Sequence, residues 1–167
     1  MIKYITFVPT NIVMTIMRIE EIIKSTVAMD DAKKVILNLI YTQSVIADKF
    51  NELLKPYDLS SEQYNVLRIL RGQKGCPANM CLIQERMIAK NSNTTRLIDK
   101  LLLKVLVTRK VCPNNRRKIE VLITKKGLEL LEELDPKVSE NEKIFSNNLS
   151  TEEIELLNNL LEKYRTI

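Results

Sequence analysis

Two short clusters of polar and cationic side chains carry the chemistry this 167-residue chain has to offer. The first is Asn91-Ser92-Asn93-Thr94-Thr95-Arg96. An Asn amide presents a donor and an acceptor that match an adenine edge, and an Arg fork matches guanine. Ser and Thr are short, so the backbone beside them can approach a ligand closely. If the cluster opens a helix, its unpaired amides also favour phosphate. The second cluster is Arg116-Arg117-Lys118, three successive cations beside Pro113 and two Asn residues. On a protruding turn they suit a narrow, electronegative minor groove. Each cluster has a plainer reading: Asn91 and Ser92 can simply cap a helix, and a basic loop can simply be solvated.

The charge distribution adds weight to the first reading. Residues 1–59 hold 7 basic and 7 acidic side chains, residues 60–126 hold 15 and 4, and residues 127–167 hold 4 and 10. The +5 total therefore conceals a middle segment at +11. Concentrated Lys and Arg point to an anionic partner, foremost the phosphates of double-stranded DNA. Enzyme chemistry is poorly provided for. There is no His, which removes imidazole acid–base and nucleophile systems. Three Gly residues cannot furnish a phosphate loop as well as the turns. No cofactor is expected. Cys76, Cys81 and Cys112 are odd in number and lack metal-ligand spacing, so neither a disulfide framework nor a metal site is expected, and a reducing cytoplasm fits.

The elements that must position these clusters follow from periodicity. Residues 31–55 repeat apolar positions at three-to-four spacing (Val35/Ile36, Leu39/Ile40, Ile46/Ala47, Phe50, Leu53/Leu54), a long helix ended by Pro56. Ser60 with Gln63 is a capping box for a helix over 61–71 that buries Tyr64, Leu67 and Leu70. Gly72, Gly75 and Pro77 break the chain. A third helix is expected over 79–89 with Leu82, Ile83, Met87 and Ile88 inward, and a fourth from the Asn91–Asn93 break to about Val105, burying Leu97, Ile98, Leu101 and Leu102. The period then changes to two over 107–112 and 119–123, which reads as a β-hairpin with the cations at its tip. Thr124 caps a helical region that Pro136 interrupts. Ser150 with Glu153 caps a last helix burying Ile154, Leu157, Leu160, Leu161 and Tyr164. Residues 1–16 are apolar but broken, too short for a membrane span and without a signal-peptide cleavage site. Met14 or Met17 reads as an alternative native start.

Two helices joined by a few residues and followed by a basic hairpin form a winged helix-turn-helix pattern. The runs Cys81–Met87, Asn91–Leu101, Lys104–Arg109, Asn115–Arg117 and Leu122–Gly127, in this order, resemble the MarR (multiple antibiotic resistance regulator) family over about residues 35–134. The resemblance implies a mainly α fold with a small β-hairpin wing (α+β), in a homodimer whose interface is made by helices from both chain ends. It implies a repressor on pseudo-palindromic promoter DNA, released by a small phenolic or aromatic effector. The expected organisation is an extension over 1–30 (an additional dimer arm if residues 1–16 are native), a dimerisation helix over 31–59, the DNA-binding lobe over 60–126, and C-terminal dimerisation helices over 127–167. The expected DNA contacts are Asn79, Ser92, Asn93, Thr94, Thr95, Arg96, Lys100, Asn115, Arg116, Arg117 and Lys118. Tyr41, Tyr57 and Tyr64 are the candidates for an effector site.

Two departures from the family pattern stand out. Val105 occupies a usual Gly position, so the fourth helix is expected to end differently, because Val resists the left-handed conformation. Asn115 stands where the wing usually has Asp and offers no ion pair. The alternative functions are a winged-helix protein-interaction module without specific DNA binding, and a regulator that senses oxidants through cysteine.

Overall fold

The capping chemistry places most helix starts where the sequence predicts them. The structure is a computed structural model describing residues 17–112 and 115–166, with the side chains of 112–118 outside the description. The described chain divides into two compact units within one long helix, between Val45 and Ile46.

In the N-terminal unit, a short helix α1 (Ile19–Ile22) precedes the first part of α2 (Asp31–Leu54). Asp30 starts α2 by accepting from the Lys33 amide at 2.8 Å, and Glu20 pairs with Lys34 at 2.8 Å. Ile19 is buried, whereas Val35, Ile36, Ile40 and Tyr41 are exposed. Residues 1–16, with the candidate start at Met14, lie outside the described residues, and the other candidate, Met17, is the first described residue.

The second unit begins with the end of α2. A 3-10 turn (Lys55–Tyr57) that carries Pro56 follows, because proline suits a helical first turn. Helix α3 (Ser61–Arg71) has the expected reciprocal box: Gln63 N donates to Ser60 Oγ at 3.2 Å and Ser60 N to Gln63 Oε1 at 3.1 Å. Tyr64, Leu67 and Leu70 are buried as expected, together with Leu54, Val66, Ile83, Met87, Ile98, Leu101, Leu131 and Leu134. This core holds the reading elements on one scaffold. After α3 come β1 (Ala78–Asn79), α4 (Met80–Arg86), α5 (Thr94–Leu103), β2 (Val107–Cys112), β3 (Asn115–Ile123), α6 (Lys125–Ser146) and α7 (Thr151–Tyr164). The antiparallel sheet runs β1-β3-β2, with Ala78 opposite Val121 and Val107 opposite Ile123. The two-residue strand β1 is too short to show a period in the sequence.

Four expectations need correcting. Helix α4 spans only Met80–Arg86; Met87 is extended, so Ile88 leaves the helical register and is 85% exposed instead of inward. Pro136 does not interrupt α6. It is exposed between buried Leu134 and Val138, and Glu132, whose carbonyl loses its partner, is also exposed, so water can serve that carbonyl. On α7, Leu157, Leu160 and Tyr164 are exposed, with no cover from the described residues of the single chain. Val105 adopts φ +60° despite its branched side chain. Leu106 N donates to Leu101 O at 3.0 Å and Val105 N to Leu102 O at 2.9 Å, the two bonds of a Schellman ending. The fourth helix therefore ends as a glycine would end it, and burial of Leu106 holds Val105 there. Among the described residues no helix is long and apolar enough to cross a membrane.

Candidate nucleic-acid interface

The interface is built from α4, the turn after it, α5 and the hairpin. Helix α5 is strongly two-faced. Thr94, Ile98 and Leu101 are buried, and Thr95, Arg96, Asp99, Lys100 and Leu103 are exposed. Its cap is Asn93, whose Oδ1 accepts from the Arg96 amide at 3.0 Å, so Asn91 and Ser92 lie outside the helix. Capping by Oδ1 leaves the exposed Asn93 Nδ2 directed to donate. Arg96 sits one position into the second half of the first turn and is exposed. These groups and the amide-rich helix start form an outward surface that can hydrogen-bond base edges and attract phosphate.

The other expected contact residues fall into different places. Asn79 is exposed and caps α4, accepting from Leu82 N at 2.8 Å, while its backbone pairs with Glu120 of β3. Ser92 is half-buried and Thr95 exposed. Thr94 is a correction: it is only 6% exposed, and its hydroxyl donates to Gln84 Oε1 of α4 instead of pointing outward. Lys100 is exposed, but on the flank of α5 that lines a cleft with Lys55 and Asp58. The side chains of Asn115, Arg116, Arg117 and Lys118 lie outside the described residues. Their backbone belongs to β3, not to a free turn. Val111 pairs with Ile119 and Cys112 with Asn115, so residues 116–118 bulge from β3 without opposite residues on β2. The bulge coincides with the three cations.

Several contacts orient these pieces, and local spacing gave no sign of them. Arg109 of β2 pairs with Asp99 of α5 at 2.8 Å, tying the wing to the reading helix. Both groups are partly exposed, so the pair contributes order more than stability. Lys104, at the end of α5, pairs with Asp58 at 2.8 Å. That hydrogen bond and charge hold the Asp58 carboxyl below the usual range. Lys126 Nζ donates to Lys104 O at 3.1 Å, and Thr124 Oγ1 donates to Val105 O at 2.9 Å. The cleft beside Lys104 has a volume of about 1010 Å³ and includes Asn51, Lys55, Ser60, Lys100 and Leu103.

None of the three candidate effector tyrosines lines this cleft. Tyr64 is buried, edge-on to Phe50 at 5.3 Å with Arg68 over its ring, and burial raises its phenol pKa. Tyr57 is claimed by α6: its hydroxyl donates to Glu133 Oε1 at 2.7 Å and Lys137 lies 5.0 Å from its ring. Tyr41 is exposed in the other unit. Cys76 and Cys81 are free and exposed, and Cys81 lies on α4 in a groove shared with Asn93 and Thr95.

Comparison with known proteins agrees with this geometry. Residues 59–119 match the family model described as the MarR family. The HTH-type transcriptional regulator MhqR of Bacillus subtilis is 28% identical over 118 residues, covering 71% of this chain and 80% of MhqR. A MarR transcription factor from Planctomyces limnophilus is 31% identical, with a TM-score of 0.64 over 81% of this chain and 98% of its own. A MarR mutant from Escherichia coli, solved in complex with operator DNA, is 25% identical, with a TM-score of 0.70 over 82% of this chain and 99% of its own. Winged-helix geometry, a basic lobe and these likenesses converge: the chain belongs to the MarR family of DNA-binding transcription regulators.

Proposed function

We propose that this chain is a homodimeric repressor that reads pseudo-palindromic promoter DNA and leaves it when a small effector binds. The observation that carries the reading is the outward start of α5, where Asn93, Thr95 and Arg96 are exposed beside a cationic wing on a lobe of net charge +11. Thr94 drops out of the contact set, and Lys100 serves phosphate from the side of α5. Arg116, Arg117 and Lys118 supply the wing contact. Dimerisation is supported by the exposed apolar positions of α7 (Leu156, Leu157, Leu160) and, separately, of α2 (Val35, Ile36, Ile40). In such a dimer the two α5 helices reach half-sites about 34–36 Å apart.

For the effector, the open cleft replaces the tyrosine trio as the favoured site. Its lining balances Lys55, Lys100 and Lys104 against Asp48, Glu52 and Asp58, which suits a small polar ligand able both to donate and to accept hydrogen bonds, and Lys104 links it directly to the end of α5. A ligand that prefers one spacing of the two reading helices lowers DNA affinity through that preference alone. The protein works in the cytoplasm on this reading.

Fluorescence anisotropy tests it, using duplex DNA from upstream of the protein's own gene and a scrambled duplex across a salt series. Preferential binding that weakens steeply with salt, and weakens in Arg117→Ala, is expected. Absence of binding to either duplex at low salt favours a protein-interaction module instead.

A further inference from the structure

Beside the apolar core that Ile83 and Met87 share with Ile98 and Leu101, the junction between α4 and α5 carries a polar tie. Gln84 is half-buried on α4, and Thr94 is buried at the start of α5. The Thr94 hydroxyl donates to Gln84 Oε1, and Gln84 Nε2 donates to the carbonyl of Lys90 at 2.5 Å. Lys90 Nζ in turn donates to the carbonyl of Glu85. One side chain therefore holds three pieces at once: the helix that carries it, the connecting turn, and the first residue of the reading helix. The turn needs such a tie. Helix α4 stops at Arg86, Met87 is extended, and Ile88 points into solvent, so few apolar contacts fix residues 88–92.

We propose that Gln84 is the positioning residue for base reading: its two hydrogen bonds set where Asn93, Thr95 and Arg96 stand. The proposal rests on the reading that the start of α5 contacts bases. On this proposal Gln84 need not contact DNA itself. It acts through Thr94 and the Lys90 carbonyl. Both arms of the amide are used, so neither Glu nor Ala can replace it: Glu cannot donate to Lys90 O, and Ala leaves both partners bare. Base recognition is sensitive to such placement, because bidentate contacts tolerate displacement poorly. Phosphate contacts are less sensitive, since long Lys and Arg side chains can follow a shifted backbone.

The experiment compares the wild type with Thr94→Ser, Thr94→Val and the double variant Gln84→Ala/Thr94→Val. The probe is a duplex that the wild-type protein selects from a random pool, set against a scrambled duplex. The double variant removes both partners of the buried bond and leaves bare only the carbonyl of exposed Lys90, which water can serve, so folding is expected to survive, and its melting temperature is recorded as a check. The clamp predicts that the double variant loses its preference for the selected duplex by about ten- to a hundredfold, the worth of one lost base contact. Its affinity for scrambled DNA and its salt slope stay as in the wild type. Thr94→Ser, which keeps the hydroxyl, retains the preference, while Thr94→Val loses part of it. Hydrogen exchange without DNA adds an independent measure: amides of residues 91–96 exchange faster in the double variant. Retained preference in a folded double variant overturns the proposal, and so does an equal loss on both duplexes. Failure of the wild type to select any duplex sinks the DNA-reading interpretation itself, and unchanged exchange at residues 91–96 sinks the clamp whatever the DNA result.

Discussion

Replacing Gly127 by Ala sets two physical expectations against each other. Gly127 is the third residue of α6, and helix propensity alone favours Ala there by about 1 kcal/mol. The surroundings oppose it. A Cβ at this position would lie 2.7 Å from Ile123 Cγ1 and closer still to the Leu106 carbonyl oxygen. That oxygen is the acceptor for Thr124 N at 3.0 Å, and Thr124 Oγ1 accepts from Gly127 N at 3.0 Å. The methyl group therefore wedges apart the joint between the wing and α6. Overpacking of this kind costs about 1–3 kcal/mol, and the weakened Thr124–Leu106 bond adds about 0.5–1.5 kcal/mol. After the propensity gain the net loss is about 0.5–3.5 kcal/mol, and a chain this size loses about 2–4 °C per kcal/mol. Thermal unfolding followed by circular dichroism, at matched protomer concentration, reads the shift. Gly72→Ala is the control. Gly72 has right-handed φ −62°, and its Cβ would meet nothing nearer than Ile69 O at 3.4 Å. This control should be neutral or slightly stabilising. A Tm for Gly127→Ala equal to or above the wild type would refute the tight joint.

Other perturbations have equally definite signs. Val105→Gly relieves a left-handed conformation worth about 1–2 kcal/mol, against about 0.5–1 kcal/mol of added chain entropy. Because Val105 is 60% exposed, little burial is lost. A gain of up to about 1 kcal/mol in denaturant unfolding is expected, and a loss would show that φ +60° is not strained. Arg71 grips Asp135 with two bonds, at 2.6 and 3.0 Å, between α3 and α6. Both groups are partly exposed, so Asp135→Asn should cost no more than about 1 kcal/mol in the same assay. Stability should also depend on pH at both extremes. Glu133 and Asp58 have lowered pKa values, from hydrogen bonds to Lys137 and Lys104 respectively. Their contribution is present above the unfolded values of 4.5 and 3.8 and is lost as pH falls through the lower folded ones, so Tm should fall in acid, less so in Glu133→Gln. Tyr64 is raised by burial, so its neutral form is favoured in the fold and stability falls as pH rises beyond 10.0. A Tm unaffected across the alkaline limb in wild type would contradict that placement.

What was legible in the sequence was the local chemistry. Ser60 with Gln63 and Ser150 with Glu153 mark helix starts because each box is closed within four residues. The buried stripe of α5 follows from spacing alone, as does the pairing of Val107 through Val111 with Ile119 through Ile123. Features settled by distant partners were not legible. Helix α4 stops early where the turn is tied back by Gln84, a contact no periodicity announces. Thr94 belongs to the same polar cluster as Thr95, yet one is buried and the other exposed, because the helix turns by 100° between them. Tyr57 and Tyr64 suggested an effector site by residue type. Their contacts, with α6 across 76 residues and with Phe50, have no local signature in the sequence. The intrinsic preference of Val105 against the left-handed region is overridden by the burial of Leu106 beside it.

In the proposed complex α5 reads bases while the wing and flanking cations hold phosphate. The most direct measurement is the affinity of Arg96→Ala and Lys100→Ala for the selected duplex, single-base variants of it and scrambled DNA, over a salt series. Arg96→Ala should relax discrimination at one base pair per half-site by about 1–3 kcal/mol. Lys100→Ala should weaken all duplexes alike and lower the salt slope. Discrimination unchanged in Arg96→Ala, with losses equal on every duplex, would contradict the claim and place base reading elsewhere.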